Sequence, residues 1–288
     1  MSGGTRSYEM ARRLVAKGHT VNLVTSFRDP LGRRGWFITE DAGIRVHWLP
    51  VPYNNKMSFA KRIRAFVRFA FAACVKASKL KADVVFATST PLTIAIPGIF
   101  SSQVRRIPLV FELRDLWPEL AIAMGALRNP VLQKSAELLE WTAYHASEAV
   151  VALSPGMKEG VLRRGYSEDR VNVIPNSADL DLFDPRKYSP DAFRQAHPEI
   201  GAGPLVVYTG TCGMINGFDY LVRIAEAARQ RDSTIQFVVV GEGKMEEDIR
   251  QLAAERGVHG RNFHMLSPVS KENMPTVLAA ADLALSLI

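Results

Sequence analysis

Short β-branched and aliphatic runs alternate with helix-period stretches from one end of this chain to the other. That alternation limits the fold more than any other feature. Residues 21–25, 44–51, 83–87, 109–111, 149–153 and 171–174 read as strands, most of them apolar on both faces. Helical patterns lie at 5–17, 58–79, 91–101, 130–146 and 155–163. Strands without a polar face, separated by helices, predict a parallel sheet covered on both sides. After a polar, proline-bearing stretch at 175–204, a second cycle begins. Its strands fall at 205–208, 235–240, 262–266 and 283–287, and its helices at 218–230, 245–256 and 271–280. Two such cycles predict two Rossmann-like α/β domains, residues 1–180 and 181–288, facing each other across a cleft.

A length of 288 residues suits two domains. An apolar fraction of 47% and a charged fraction of 23% exclude disorder and fibrous classes. Cys74 and Cys212 form no CxxC pair, so zinc ribbons and redox dithiols are excluded and a reducing cytoplasm is expected. The chain opens on a glycine loop of the kind that follows a first strand, and it stops inside a strand. We therefore expect a fragment lacking the first strand of domain one and the C-terminal part of domain two.

Six segments carry candidate chemistry. Gly3 and Gly4, ahead of a helix, suit either an anion approaching backbone N–H groups or a tight turn capped by Thr5. Arg114 and Asp115 follow a strand, where open α/β sheets bind ligands. Asp115 suits a sugar hydroxyl and Arg114 a phosphate or carboxylate; the alternative is an ion pair that organises the loop. Ser154-Pro155 reads as an N-cap and first helical residue rather than a nucleophile, since no GxSxG surrounds it. Asn176 and Asp179 either line the cleft at the interdomain hinge or form a turn.

The loop holding Gly210, Thr211 and Gly213 joins a strand to a helix, where a diphosphate would rest on main-chain amides. Asn216 and Asp219 have the spacing of a capping pair. Gly241-Glu242-Gly243-Lys244 adds a second close-approach loop, with Lys244 either a phosphate partner or simply exposed. No GxGxxG is present, which disfavours a dinucleotide cofactor. The histidines are scattered and no HxH, HExxH or DxD occurs, so no metal is expected.

Charge is concentrated in one place. Residues 56–81 hold eight bases and no acid, and removing those eight from a net +7 leaves −1 for the rest. General nucleic-acid binding is disfavoured for that reason. Lys61, Arg62, Arg64 and Arg68 interleave with Phe59, Ile63, Phe66, Val67 and Ala70 at helical spacing. This suits a helix lying on an anionic membrane, or a core helix with a solvated basic face.

Taken in order, these pieces resemble glycosyltransferase family 4. The resemblance rests on Gly3-Gly4, the 7–14 and 17–21 segments, Arg114-Asp115-Leu116-Trp117-Pro118-Glu119 and Leu153-Ser154-Pro155-Gly156-Met157. It continues through Ile174-Pro175-Asn176-Ser177-Ala178-Asp179, Phe183, Tyr208-Thr209-Gly210-Thr211, Asn216-Gly217, Gly241-Glu242-Gly243 and Ala281-Asp282-Leu283. It implies the two-domain GT-B fold and a retaining, metal-independent sugar transfer without a cofactor. The Arg-Asp-Leu-Trp-Pro block is similar to the bacterial branch that builds surface polysaccharide of O-antigen, capsule or colanic-acid type.

On that resemblance, a nucleotide-sugar donor binds mainly the second domain and a lipid-linked saccharide acceptor the first. Asp115 and Arg114 meet the acceptor or reacting sugar. Gly3, Gly4, Gly210, Thr211, Gly213 and Lys244 serve the donor diphosphate. The enzyme is expected at the inner face of the plasma membrane, peripheral and cytoplasmic. Met214 and Asn216 stand where family members commonly carry an arginine and a lysine. The family's second-domain glutamates would lie beyond Ile288. A nucleotide-sugar 2-epimerase of the same fold, or a non-catalytic membrane-bound partner subunit, is the alternative.

Overall fold

The structure, a computed structural model, describes residues 5–27, 32–52, 57–123, 125, 127–214 and 216–287. The chain divides into two compact units, one ending at Ser177 and the other spanning Ala178–Ile288.

Unit 1 opens with α1 (Thr5–Ala16), β1 (Asn22–Phe27), β2 (Phe37–Asp41) and β3 (Ile44–Pro50). These strands form a three-stranded sheet in the order β1-β3-β2, with β1 parallel and β2 antiparallel to β3. The antiparallel β2 is absent from the sequence-based expectation. Its middle residues are exposed, so it shows no apolar run. It exists because Ala42 and Gly43 both take positive φ, closing a two-residue hairpin onto β3. Ala11 of α1 packs on the inward Ile44 and Val46 of β3.

There follow α2 (Phe59–Ser78), β4 (Val85–Thr88), α3 (Ala95–Arg105), β5 (Leu109–Leu113) and α4 (Glu119–Ala123). The unit continues with α5 (Pro130–His145), β6 (Ala149–Ala152), α6 (Pro155–Arg163) and β7 (Val171–Val173). Strands β4-β5-β6-β7 form an all-parallel sheet in that order. Its core gathers Leu109, Phe111, Leu113, Tyr144, Val150 and Ala152, with Val161 of α6 beneath. Unit 1 thus holds two sheets where one was expected. Asn129 and Ser154 cap α5 and α6 through hydrogen bonds from the first-turn amides, each followed by a proline at the first helical position.

Unit 2 contains α7 (Pro190–Ala196), β8 (Leu205–Thr209), α8 (Phe218–Arg231) and β9 (Gln236–Val240). After these come α9 (Glu246–Glu255), β10 (Phe263–Leu266), α10 (Met274–Ala279) and β11 (Leu283–Leu285). Its parallel sheet runs β10-β9-β8-β11. Alternate strand residues feed two cores. Val206, Tyr208, Phe237 and Val239 pack with Leu221, Val222 and Ile249 of α8 and α9. Leu205, Val207, Val238 and Val240 pack with Phe193 of α7 and Val277 of α10. This explains why the strands carry no polar face. The polar stretch at 175–204 is therefore more than a connection, since Phe193 and Ile200 within it close one face of the sheet.

Candidate functional site

In the four-stranded sheet of unit 1 the parallel strands end at one edge, and the chemistry-bearing loops gather there. At its centre is Glu112 of β5, which is 0% exposed. Its carboxylate accepts from Arg6 Nε of α1 at 2.9 Å and from the Thr88 hydroxyl of β4 at 2.7 Å. Arg6 spends its remaining donors on the segment after β7: the Ile174 carbonyl at 2.8 Å, the Pro175 carbonyl at 2.9 Å and Asn176 Oδ1 at 3.4 Å. One guanidinium thereby holds three segments together. A carboxylate at that depth is tolerable only with such a partner.

The end of β4 also fixes the end of β5. The Ser89 amide donates to the Glu112 carbonyl at 2.9 Å, and the Arg114 amide donates to Ser89 Oγ at 3.0 Å. Asp115 accepts from the Thr90 hydroxyl at 3.4 Å. Burial pushes its carboxyl above the usual carboxylate range, against the smaller lowering effects of Thr90 and Arg114. Among the described residues no ion pair within 4 Å joins Arg114 to Asp115. The loop is organised by the β4–β5 hydrogen bonds instead, which removes the ion-pair alternative for this motif. Leu116 packs on Gly160 of α6, where a Cβ would lie 2.6 Å from Leu116 Cδ2.

Beside this edge lies a pocket of about 290 Å³ lined by Arg6, Glu9, Arg13, Arg114, Asn176 and neighbours. Arg6 is already bonded to Glu112 and Arg13 to Glu9, so Arg114 is the lining arginine for which no carboxylate lies within 4 Å among the described residues. Glu9 is held by Arg12 at 2.7 Å and by Arg13. The structure thus brings Arg114 and Asn176 together, with Asp115 the next residue along the chain. Arg6 and Glu112 complete the arrangement and were not among the sequence candidates. Gly3 and Gly4 lie outside the described residues. Asp179 belongs to unit 2, where it pairs with Lys271 at 3.6 Å.

In unit 2 the 210–213 loop turns from β8 toward α8. The Gly210 amide donates to the Val240 carbonyl at 3.1 Å and the Cys212 amide to the Glu242 carbonyl at 2.9 Å. The Gly213 amide is shared between the Thr211 carbonyl and Asn216 Oδ1. These three amides are committed within the protein. Asn216 also donates to the Leu287 carbonyl at 3.0 Å, tying the loop to the chain after β11. It does not cap α8 with Asp219. The N-cap is Gly217, in a left-handed conformation and without a side-chain cap.

The glycines of 241–243 serve backbone packing. A Cβ on Gly241 would lie 1.8 Å from the Gly210 carbonyl oxygen, and one on Gly243 2.2 Å from that of Cys212. Lys244 is exposed beside them.

On α2, Lys61, Arg64 and Arg68 are exposed while Arg62 is half-buried. Among the described residues no cluster of three metal-ligating side chains occurs, and no helix is long and apolar enough to cross a membrane.

Comparison with known proteins adds a consistent set of likenesses. Residues 3–177 match the Glycosyl transferase 4-like domain, and residues 203–287 match Glycosyl transferases group 1. The putative colanic acid biosynthesis glycosyl transferase WcaI of Escherichia coli K12 is 22% identical over 97% of this chain and 71% of its own length. The phosphatidylinositol N-acetylglucosaminyltransferase GPI3 subunit of Saccharomyces cerevisiae is 24% identical over 96% of this chain and 58% of its own length. Among solved structures, sucrose-phosphate synthase from Thermosynechococcus elongatus superposes with a TM-score of 0.70 at 19% identity. It covers 98% of this chain and 69% of that one.

Proposed function

Because this chain belongs to the glycosyl transferase 4-like family and has the two parallel α/β units of the GT-B fold, we propose that it transfers a sugar from a nucleotide-sugar donor to a lipid-linked saccharide acceptor. The observation that carries this reading is the clasp around Glu112. It fixes Arg114 and Asp115 at a strand end beside a pocket lined by three arginines.

In this reading the acceptor occupies unit 1. Asp115 receives the hydrogen bond of the acceptor hydroxyl, Arg114 stabilises negative charge that develops in the transition state, and Arg6 positions their loop through Glu112. Donor binding falls to unit 2, where the amides of Gly210, Cys212 and Gly213 are already bonded. The groups left to serve it are the amide and hydroxyl of Thr211, Lys244 and the first turn of α8, which no side chain caps. The reaction keeps the anomeric configuration and uses protein cations and a helix dipole where other transferases use a metal ion. The names of the two relatives, one in colanic acid biosynthesis and one acting on phosphatidylinositol, support an acceptor carried by a lipid and a bacterial surface polysaccharide as product. A lipid-borne acceptor places the enzyme at the inner leaflet.

The test is incubation of the protein with labelled nucleotide sugars and undecaprenyl-diphosphate-linked saccharide. Product analysis is by mass and by the anomeric coupling constant. Transfer with retained configuration, lost in Asp115→Asn, supports the reading. Release of a free epimerised sugar without acceptor would replace it with epimerase chemistry. Absence of both, together with no calorimetric binding of UDP or GDP, would identify a non-catalytic partner.

A further inference from the structure

Unit 1 carries a second basic concavity, away from the Glu112 clasp. This pocket of about 400 Å³ is lined by Arg33 and Arg34, by Pro50 and Pro52 at the end of β3, and by Arg68 of α2. Among the described residues no carboxylate lines it. Arg33 is held at the wall, with its guanidinium carbon 4.5 Å from the centre of the Phe37 ring. Three guanidinium groups around one hollow repel one another until an anion sits among them, and their fork geometry suits phosphate.

Arg68 links this pocket to an unusual helix surface. Two faces of α2 are occupied. Ala65, Phe69 and Ala72 pack with Trp36, Leu49 and Val51, while Ala70, Ala73 and Cys74 are buried on the side where α2 meets α3. The remaining face carries Ile63, Val67, Phe71 and Val75 at four-residue intervals, all exposed, with Phe71 at 64% and Val75 at 56%. Arg64 and Arg68 each follow a stripe residue by one position, about 100° around the helix, so the bases run along one edge of the stripe. Phe100 and Val104 of the adjoining α3 are exposed as well. An apolar stripe with a basic edge, in a segment without a single acid, complements a surface that is anionic outside and apolar beneath.

We propose that the Arg33–Arg34–Arg68 pocket holds the phosphate of an anionic bilayer lipid while the α2 stripe lies at the boundary between headgroups and acyl chains. This rests on the membrane part of the function proposed above. Vesicle binding involves no sugar transfer, so the two can fail separately.

The experiment is flotation with vesicles of phosphatidylcholine alone or with 30% phosphatidylglycerol. The protein is expected to float with the anionic vesicles only. Replacing Arg33, Arg34 and Arg68 together by Gln is expected to lower the partition coefficient on the order of 100-fold. Phe71→Ser with Val75→Ser, both at exposed positions, is expected to lower it at least tenfold with an unchanged circular dichroism spectrum. An equal-charge control, Lys17, Arg231 and Arg261 to Gln, is expected to change it less than about threefold.

Three results overturn the proposal: no flotation of the parent protein, an arginine variant that behaves like the charge control, or undiminished binding by the serine variant. In the last case, protection of the arginines by millimolar inorganic phosphate would identify a free-phosphate site.

Discussion

Arg6 Nε and Glu112 Oε1 lie 2.9 Å apart although 106 residues separate them in sequence, and their side chains are 10% and 0% exposed. The pair joins the first turn of α1 to the end of β5. Through the other donors of Arg6 it also fixes the chain from Ile174 to Asn176. Arg114 and Asp115 therefore project from a loop whose base is fixed by charge-assisted hydrogen bonds, not from a free turn.

Removing one partner of a buried pair strands the other. Arg6→Met is expected to destabilise unit 1 by about 3–5 kcal/mol, read as a lower urea midpoint with an unchanged slope. The double replacement Arg6→Met with Glu112→Met is expected to recover part of that loss, because no charge is left buried. A double variant as unstable as the sum of the singles would contradict the pairing.

Asp115 links pH to both stability and turnover. Burial raises its folded-state pKa above the unfolded value of about 3.9. Between those two values the folded chain keeps a proton that the unfolded chain has lost. Stability therefore falls as pH rises through this window and stays lower above it. Asp115→Asn is expected to raise the melting temperature at pH 7 and to give no gain near pH 3. The same variant is expected to lose at least about 100-fold in transfer rate, as for a residue that handles a proton.

His264 of β10 has the opposite dependence. It is buried, and its Nε2–H donates to Gln236 Oε1 at 3.1 Å, the Gln236 amide nitrogen being spent on the Thr234 carbonyl. Burial lowers its pKa below the model-peptide value of 6.5. As pH falls below about 6.5 the unfolded chain takes a proton that the folded chain resists, so stability drops progressively. Unfolding midpoints measured from pH 7.5 to 5 are expected to decline in the parent protein and to decline less steeply in His264→Gln, where the buried His47 still contributes.

What the sequence made legible follows from how each signal arises. The strands at 205–209 and 236–240 fall within a residue of their expected limits, because both faces are buried and the apolar run is unbroken. Strand β2 left no such run, since its backbone pairing with β3 and its hairpin carry it while its side chains face water. In and just after α7 two buried residues, Phe193 and Ile200, stand in an otherwise polar stretch, too few to show a period. Arg114 and Asp115 were readable because an acid and a base directly after a strand are local information. The Arg6–Glu112 pair was not, although a glutamate inside the apolar run 109–113 was a signal that some cation must reach it.

Glycine was the least legible residue of all, because an approaching ligand and an approaching backbone demand the same thing of it. In the 241–243 loop the approaching atoms belong to the protein: the carbonyls of Gly210 and Cys212 occupy the space a Cβ would need. The Cys212 carbonyl is held by the Met245 amide at 3.1 Å, and Gly210 is held through its own amide, which donates to the Val240 carbonyl at 3.1 Å. Gly241→Ala and Gly243→Ala are therefore each expected to cost about 1–3 kcal/mol through overpacking. Both are also expected to displace the 210–213 loop and weaken calorimetric binding of a nucleoside diphosphate. Gly257→Ala serves as the comparison, since its φ of +66° meets open space. It is expected to cost about 1 kcal/mol and to leave nucleotide binding as it was. If all three variants lowered stability equally and none altered binding, the two loops would not act as one unit.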